Sequence, residues 1–435
     1  MSFVRKHALF FIFLLGFLLR LALLFIDYSF DVNNHIAWAK DLHNRGFGDF
    51  FNTQSSEVYA TLYPNYPPVA LFLFYLSYPL PKIIYQIAWW INIHVPPFPS
   101  NLVEYIDERF FLAAMMKVSA VFADLGLAGL CCLFATRLYK KSKRLLVIGA
   151  SLILFNPVFF YNSAFWGQID AIPVFFAVLS LYLLLFTKRG LLSGFMFVIS
   201  ILVKPTTLVF IPAYAFFFIK KFGFLKFART VIFSNLIFLI AFMPFIEHFS
   251  LLSPYQIYME KILAAQSLPF VTNSAYNFWL LIVKPGDGIK DTALYLFGIS
   301  YRMYGYLIVS LAIIILLYQT RRSRDKILTP IVVFFFSAFV AFLFLTKMHE
   351  RYFMLPLPFL LIAALKKTNY LRWFFILSLL AFLNLYHSWA VPFIKPLFQF
   401  TDNRLVYLSL SLVAVSCFFY LFSKYTAVAR RKKIS

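Results

Sequence analysis

Apolar runs of about 20 residues recur along this chain, the length at which a helix crosses ~30 Å of hydrocarbon. A bilayer offers the backbone no water, so each run must satisfy its own N–H and C=O groups, as a helix does. The runs fall at 7–26, 110–136, 145–162, 171–187, 190–203, 206–219, 231–249, 296–318, 328–346, 353–365, 371–389 and 405–423. They predict an all-α polytopic membrane protein, a bundle of about twelve transmembrane helices forming one domain over 1–435, with no soluble domain at either end. Composition agrees, since 62% of residues are apolar and 13% charged, where a soluble protein has about a quarter charged. The runs at 190–203, 206–219 and 353–365 are short for the hydrocarbon, and a helix break is expected beside Lys204–Pro205.

A net charge of +23 would raise the question of nucleic acid in a soluble protein. Here most basic residues form short clusters between apolar runs, which argues against nucleic acid. With twelve spans, one side receives Arg5–Lys6, Arg137 to Arg144, Lys188–Arg189, Lys220 to Arg229, Arg321 to Lys326, Lys366 to Arg372 and Lys424 to Lys433. That is 25 of the 40 Lys and Arg but, with Asp325, one of the 17 acids. The positive-inside rule makes this side cytoplasmic, with both termini there and the acidic residues facing away from it. The first run is too long for a signal-peptide core and lacks a cleavage pattern, so it reads as an uncleaved span. Residues 67–91 are apolar enough to cross, yet one more span would invert every later loop. Pro79, Pro81 and Lys82 interrupt them, and Trp89–Trp90 suit an interface. They are expected to form interfacial or re-entrant helices, or a tight pair of half-spans, within one large external loop, 27–109. A second long external loop covers about 250–295. Cys131, Cys132 and Cys417 lie in apolar segments without metal-ligand spacing and read as buried thiols.

Four polar stretches could carry chemistry. In the first loop, Asp31 precedes an expected short helix at about 33–45, ended by Gly46, with Ile36, Ala39 and Leu42 turned toward the membrane surface. Taken alone, Asp31 reads as a helix cap before it reads as a catalytic group, and Asp27, Asp41 and Asp49 read as solvated or interfacial. The stretch Asn162 to Asp170 offers Trp166 as a stacking face for a sugar ring, Gln168 and Asp170 as partners for hydroxyls, and Gly167 for close backbone approach. An interfacial tryptophan followed by a capping aspartate explains it equally. Lys204, at an outer helix end, needs an anion or water; snorkelling and phosphate binding both satisfy that. At the outer end of the ninth run Lys347, His349, Glu350 and Arg351 come together, and an arginine can grip a phosphate with two parallel hydrogen bonds. A single histidine without spaced partners does not make a zinc site, and no residue pattern calls for a metal or other cofactor. The long loop adds Asn277 as a sugar or lipid contact. Lys117 and Asp124, seven residues apart within one span, read as structural pairing with neighbouring helices.

Taken in order, these elements resemble the GT-C superfamily of membrane glycosyltransferases, and within it the bacterial and archaeal relatives of GPI mannosyltransferase II. The matching elements are Asp31 with Ala37–Trp38–Ala39, Tyr66–Pro67–Pro68, Lys117 with Ala123–Asp124, and Trp166 to Asp170. Lys204–Pro205, Asn277 to Trp279 and His349 to Tyr352 complete the series. The resemblance covers about three quarters of the chain. It implies inverting transfer of a hexose, mannose by preference, from a polyprenyl-phosphate donor to an external lipid, glycan or protein acceptor, with Asp31 as catalytic base. It further implies that Trp166, Gln168 and Asp170 line the sugar site and that Lys204, His349 and Arg351 meet the lipid phosphate, beside Glu350. Soluble domains carried by some relatives are missing, which leaves acceptor recognition to the loops or the bilayer.

The residue inventory suits that chemistry. A polyprenyl phosphate leaves without being protonated, so one carboxylate base suffices, whereas an inverting glycosidase needs a second carboxyl to protonate its leaving group. Two other readings stand beside it: a lipid-linked polysaccharide ligase or polymerase, and a transporter or flippase without covalent chemistry.

Overall fold

A computed structural model describes residues 2–57, 61–138, 142–248, 250–264, 268–321, 323 and 325–431, with side chains between His7 and Thr426. Several members of the basic clusters, namely Arg5, Lys6, Lys140, Lys141, Arg322, Arg324 and Arg430 to Lys433, fall outside the described side chains. The described residues are helical with no strand, and only isolated bridges, such as Asn273 and Ser274 to His349, join the loops.

By length and composition, seven of the described helices can cross a membrane, or eight if the bent pair Lys143–Leu154 and Pro157–Trp166, at 42°, counts as one crossing. Ala171–Phe186, Gly190–Val203 and Leu328–Phe344 are apolar but shorter. At 1.5 Å per residue they reach roughly 21–26 Å, short of the ~30 Å hydrocarbon. The predicted bundle is therefore built partly from full crossings and partly from helices that stop early. Where they stop, the backbone is irregular, which a membrane protein tolerates when that backbone is buried or lines a cavity. Every residue of Leu328–Phe344 is buried, which makes it the central post of the bundle.

Pro68–Ser77 and Leu80–His94 follow in line, because Tyr78 and Pro79 keep right-handed helical dihedrals, and together they give an apolar stretch of 27 residues. The helix beginning the first loop runs Phe30–Arg45 and ends at Gly46, whose φ of 79° suits glycine. Its apolar face does not lie on a membrane. Val32, Ile36, Trp38, Ala39 and Leu42 are buried in the main core, packed with Pro68–Ser77 and Arg109–Leu138. Asp41 is buried too, at 1% exposure, with Arg45 at 3.0 Å and the Ser55 hydroxyl donating at 3.0 Å. The sequence reading of Asp41 as solvated fails because the strand of loop at 55–56 folds back over it.

Lys117 and Asp124 take separate partners. Lys117 donates to the Asp27 carbonyl at 2.7 Å and tethers the loop to Arg109–Leu138. Asp124 pairs with Arg20 at 2.8 Å, with both side chains fully buried, and accepts from the Ser163 hydroxyl. Arg20 also donates to the Gly16 and Leu154 carbonyls, so one guanidinium joins the first helix, Arg109–Leu138 and Lys143–Leu154.

Candidate active site

Two local backbone devices bring the first loop to the Trp166–Asp170 stretch. Residues Tyr161–Trp166 form a π-helix, a distortion common at functional sites, which Gly167 closes at a φ of 90°. A Cβ at Gly167 would meet Val32 Cγ2 at 2.4 Å, so only glycine lets the residue after Asp31 lie this close. The Ser29 N–H donates to the Trp166 carbonyl at 3.0 Å and fixes the register. Asp31 thus sits in the first turn of Phe30–Arg45, where the helix dipole favours a carboxylate. It makes no cap. Its Oδ2 accepts a short hydrogen bond from Gln168 Nε2, and Arg351 Nη1 lies 3.6 Å from the same oxygen.

A third device supplies the cations. Proline disfavours helical dihedrals in the residue before it, so Lys204 leaves Gly190–Val203 in extended backbone, φ −158° and ψ 136°. Its ammonium donates to Asp170 Oδ1 at 2.6 Å and sits over the rings of Tyr352 and Tyr66, at 5.0 and 5.5 Å. Asp170 precedes Ala171–Phe186 but does not cap it with its side chain. Its other oxygen is 3.8 Å from Arg351 Nε, and Arg351 Nη1 donates to Glu350 Oε1 at 3.2 Å. Asp31, Arg351, Asp170 and Lys204 therefore form one continuous charge network assembled from four separated parts of the chain. Within it Gln168 Oε1 has no hydrogen-bond partner among the described residues, and Asp170 Oδ2 and Arg351 Nε, 3.8 Å apart, make an ion pair but no hydrogen bond there. Buried groups without a hydrogen bond cost about 1–3 kcal/mol each, and inserted hydroxyl groups would satisfy them.

The electrostatics sort the groups. Burial pushes the Asp31 carboxyl up, but Arg351 and the Gln168 hydrogen bond outweigh it and hold it down at about 2. Burial depresses His35, one helical turn after Asp31 and stacked on Phe74 at 4.1 Å, to about 3 despite the nearby Asp31 charge. Burial, helped by Arg351, takes His349 well below the usual histidine value. Burial raises Glu350 against the pull of Arg351. Asp31 keeps 28% of its side chain exposed, while Asp170, Lys204 and Arg351 keep 6%, 4% and 11%.

A cavity of about 720 Å³ adjoins the network. Lys204, Tyr66, His349 and Tyr352 form part of its wall, and so do Arg302 and Lys347. The remainder is largely apolar, from Leu208, Val209, Ile313, Ala338 and their neighbours on the surrounding helices. Asp31 and Arg351 do not line the cavity. Among the described residues no group of three or more His, Cys, Asp or Glu is placed to hold a metal ion.

The network gathers Gln168, Asp170, Lys204, Glu350 and Arg351 around Asp31, with His349 in its electrostatic reach. Two candidates fall elsewhere. Trp166 is buried and stacked on Trp389 at 5.6 Å, so its ring packs against protein. Asn277 is fully buried, its Oδ1 accepting from the Leu280 N–H at 3.2 Å, which gives it a capping task. His35 and Tyr66 were not singled out as site residues. A histidine one helical turn after the aspartate was the available signal for the first; Tyr66 carried none beyond its prolines. Arg302 was not singled out either.

A family model described as Glycosyltransferase family 87 matches residues 108–346. The matched span holds Trp166, Gln168, Asp170, Lys204 and Asn277, whereas Asp31 and His349 to Arg351 flank it and join it through the fold. No curated protein sequence matches the chain.

Proposed function

The chain belongs to glycosyltransferase family 87, and from that membership we propose that it transfers a hexose, mannose by preference, from a polyprenyl-phosphate donor to a lipid, glycan or protein acceptor. The kinship with GPI mannosyltransferase II drawn from the ordered motifs is part of the same proposal. The observation that carries it is the single network joining Asp31, Gln168, Asp170, Lys204 and Arg351 beside an apolar cavity with a cationic wall. A prenyl chain fits the apolar part, and its phosphate suits the basic side chains.

In this reading the acceptor O–H gives its proton to the Asp31 carboxylate while the acceptor oxygen bonds to the anomeric carbon. The bond from that carbon to the phosphate oxygen breaks, and its electron pair leaves on the phosphate. Configuration inverts because attack and departure are on opposite faces. A carboxylate held near 2 is a weak base, but an oxygen bonding to an oxocarbenium-like carbon becomes strongly acidic, which allows the transfer. Gln168 holds the carboxylate in place, and the atoms of Gln168, Asp170 and Arg351 that make no hydrogen bond among the described residues suit sugar hydroxyls. The basic clusters support cytoplasmic termini and a site opening on the opposite face.

The test is transfer from a synthetic polyprenyl-phosphate mannose by purified protein. Wild type should form glycoside and free polyprenyl phosphate, and Asp31→Asn should lose about 10²–10⁴-fold in rate. Full activity in Asp31→Asn would remove it as the base, and competition by oligosaccharyl lipid alone would favour the ligase reading.

A further inference from the structure

The cations nearest Asp31 are already matched by acids. Lys204 and Arg351 face three carboxylates, Asp31, Asp170 and Glu350, at 2.6 to 3.8 Å, and burial keeps His35 and His349 neutral. An incoming phosphate would meet a region with no surplus positive charge. Arg351 is also absent from the cavity wall.

Elsewhere on the same wall the balance is reversed. Arg302, in the first turn of Tyr301–Thr320, and Lys347, just beyond Leu328–Phe344, both line the cavity. The carboxylate between them is Asp291, 1% exposed, which binds Arg302 in a fork: Nε to Oδ2 at 2.8 Å and Nη2 to Oδ1 at 2.7 Å. The Thr346 hydroxyl donates to the same carboxylate at 3.2 Å. Asp291 thus orients one edge of the guanidinium, while Nη1 makes no hydrogen bond among the described residues and a third of the side chain stays exposed. Lys347 holds a φ of 60°, a conformation that costs a residue other than glycine about 1–3 kcal/mol. Burial lowers the Lys347 ammonium from the usual lysine value, and Asp291 opposes that fall. From the two cations onward the wall passes to apolar side chains, among them Leu345, Val309 and Ile313.

We propose that Arg302 and Lys347 form the phosphate subsite of the cavity, taking the phosphate monoester of a lipid whose hydrocarbon lies along the apolar wall, and that Lys204 and Arg351 serve the carboxylates instead. This rests on the donor reading above and reassigns the phosphate contacts that the sequence resemblance implied. Asp291 is a positioning residue in this arrangement, since it acts through Arg302.

The experiment is equilibrium binding to the purified full chain of a short polyprenyl monophosphate, the matching polyprenol, and inorganic phosphate as competitor. Wild type should prefer the phosphorylated lipid, and Arg302→Gln or Lys347→Gly should each cut that preference about tenfold while polyprenol binding holds. Lys347→Gly is the informative variant, because glycine adopts this backbone without strain. Its thermal midpoint should stay level or rise while phosphate preference falls, which loss of fold cannot imitate. Displacement by millimolar inorganic phosphate as effectively as by the lipid would mean a free-anion site and overturn the lipid assignment. An undiminished preference in both variants, or its loss in Lys204→Gln instead, would overturn the subsite. Because binding is read without turnover, failure of sugar transfer and failure of the subsite give different results.

Discussion

His35 and Asp31 titrate over different ranges although they share one helical turn. The fold holds His35 neutral down to about 3, whereas in the unfolded chain the ring takes up a proton below about 6.5. The unfolded state then binds more protons, and stability falls as pH drops from about 6.5 toward 3, by up to ~1.4 kcal/mol per pH unit. The Asp31 carboxyl is likewise held below its ordinary value, by Arg351 and Gln168 against burial, and so acts in the same direction with acid. Its contribution is complete above about 4 and disappears as pH falls toward 2. Thermal midpoints in detergent from pH 8 to pH 4 should decline in wild type and decline less in His35→Phe, which can keep the stack on Phe74. Equal slopes would remove His35 as a source of the acid sensitivity. Asp31 was singled out in the sequence because its neighbours follow a recognisable order, and the structure sets Gln168 and Arg351 beside it. The stacking partner of Trp166, Trp389, lies more than 200 residues away, and a tryptophan beside a glycine and two polar residues looks the same in sequence whether it meets a sugar or another indole.

Helices that stop early, more than helices that cross, place the site. Gly190–Val203 ends where Pro205 forces Lys204 into extended backbone, and the π-helix Tyr161–Trp166 ends at Gly167. The break at Pro205 was expected from the sequence, which read Gly167 only for close backbone approach. The crossing helices are held differently, by the buried pair of Arg20 and Asp124. Removing one partner strands a charge in the core, so Arg20→Met should cost about 3–5 kcal/mol. The double change Arg20→Met with Asp124→Leu should recover most of it, because an apolar pair of similar bulk needs no compensation. Thermal unfolding of the three proteins checks this, and additive losses in the double variant would contradict it. Arg20 went unnoticed in the sequence since a lone arginine in an apolar run resembles a snorkelling side chain; its partner is 104 residues away.

At the scale of the whole molecule, the all-helical membrane architecture was legible because apolar runs of crossing length have few alternatives. The depth of the shorter helices was not, since composition is the same whether an apolar helix faces lipid or, like Leu328–Phe344, is buried on every side. Sidedness is carried by the basic clusters and is open to a direct check. Single cysteines at Thr53 and at Lys188, in a background without Cys131, Cys132 and Cys417, should react oppositely with a membrane-impermeant maleimide in intact cells. Thr53 should label and Lys188 should not; the reverse pattern would invert the molecule. The pairing of Arg20 with Asp124 has a further consequence for biogenesis. The first helix reaches the translocon carrying a guanidinium whose counterion has yet to be synthesised, and at roughly 5–20 residues per second the missing stretch takes on the order of 5–20 s. An unmatched arginine costs ~2.5–3.5 kcal/mol at the centre of an inserting helix and less toward an end, where Arg20 stands, four residues before Leu24. Arg20 gains its buried carboxylate only when Arg109–Leu138 arrives, so the final packing of the first helix waits on that later segment.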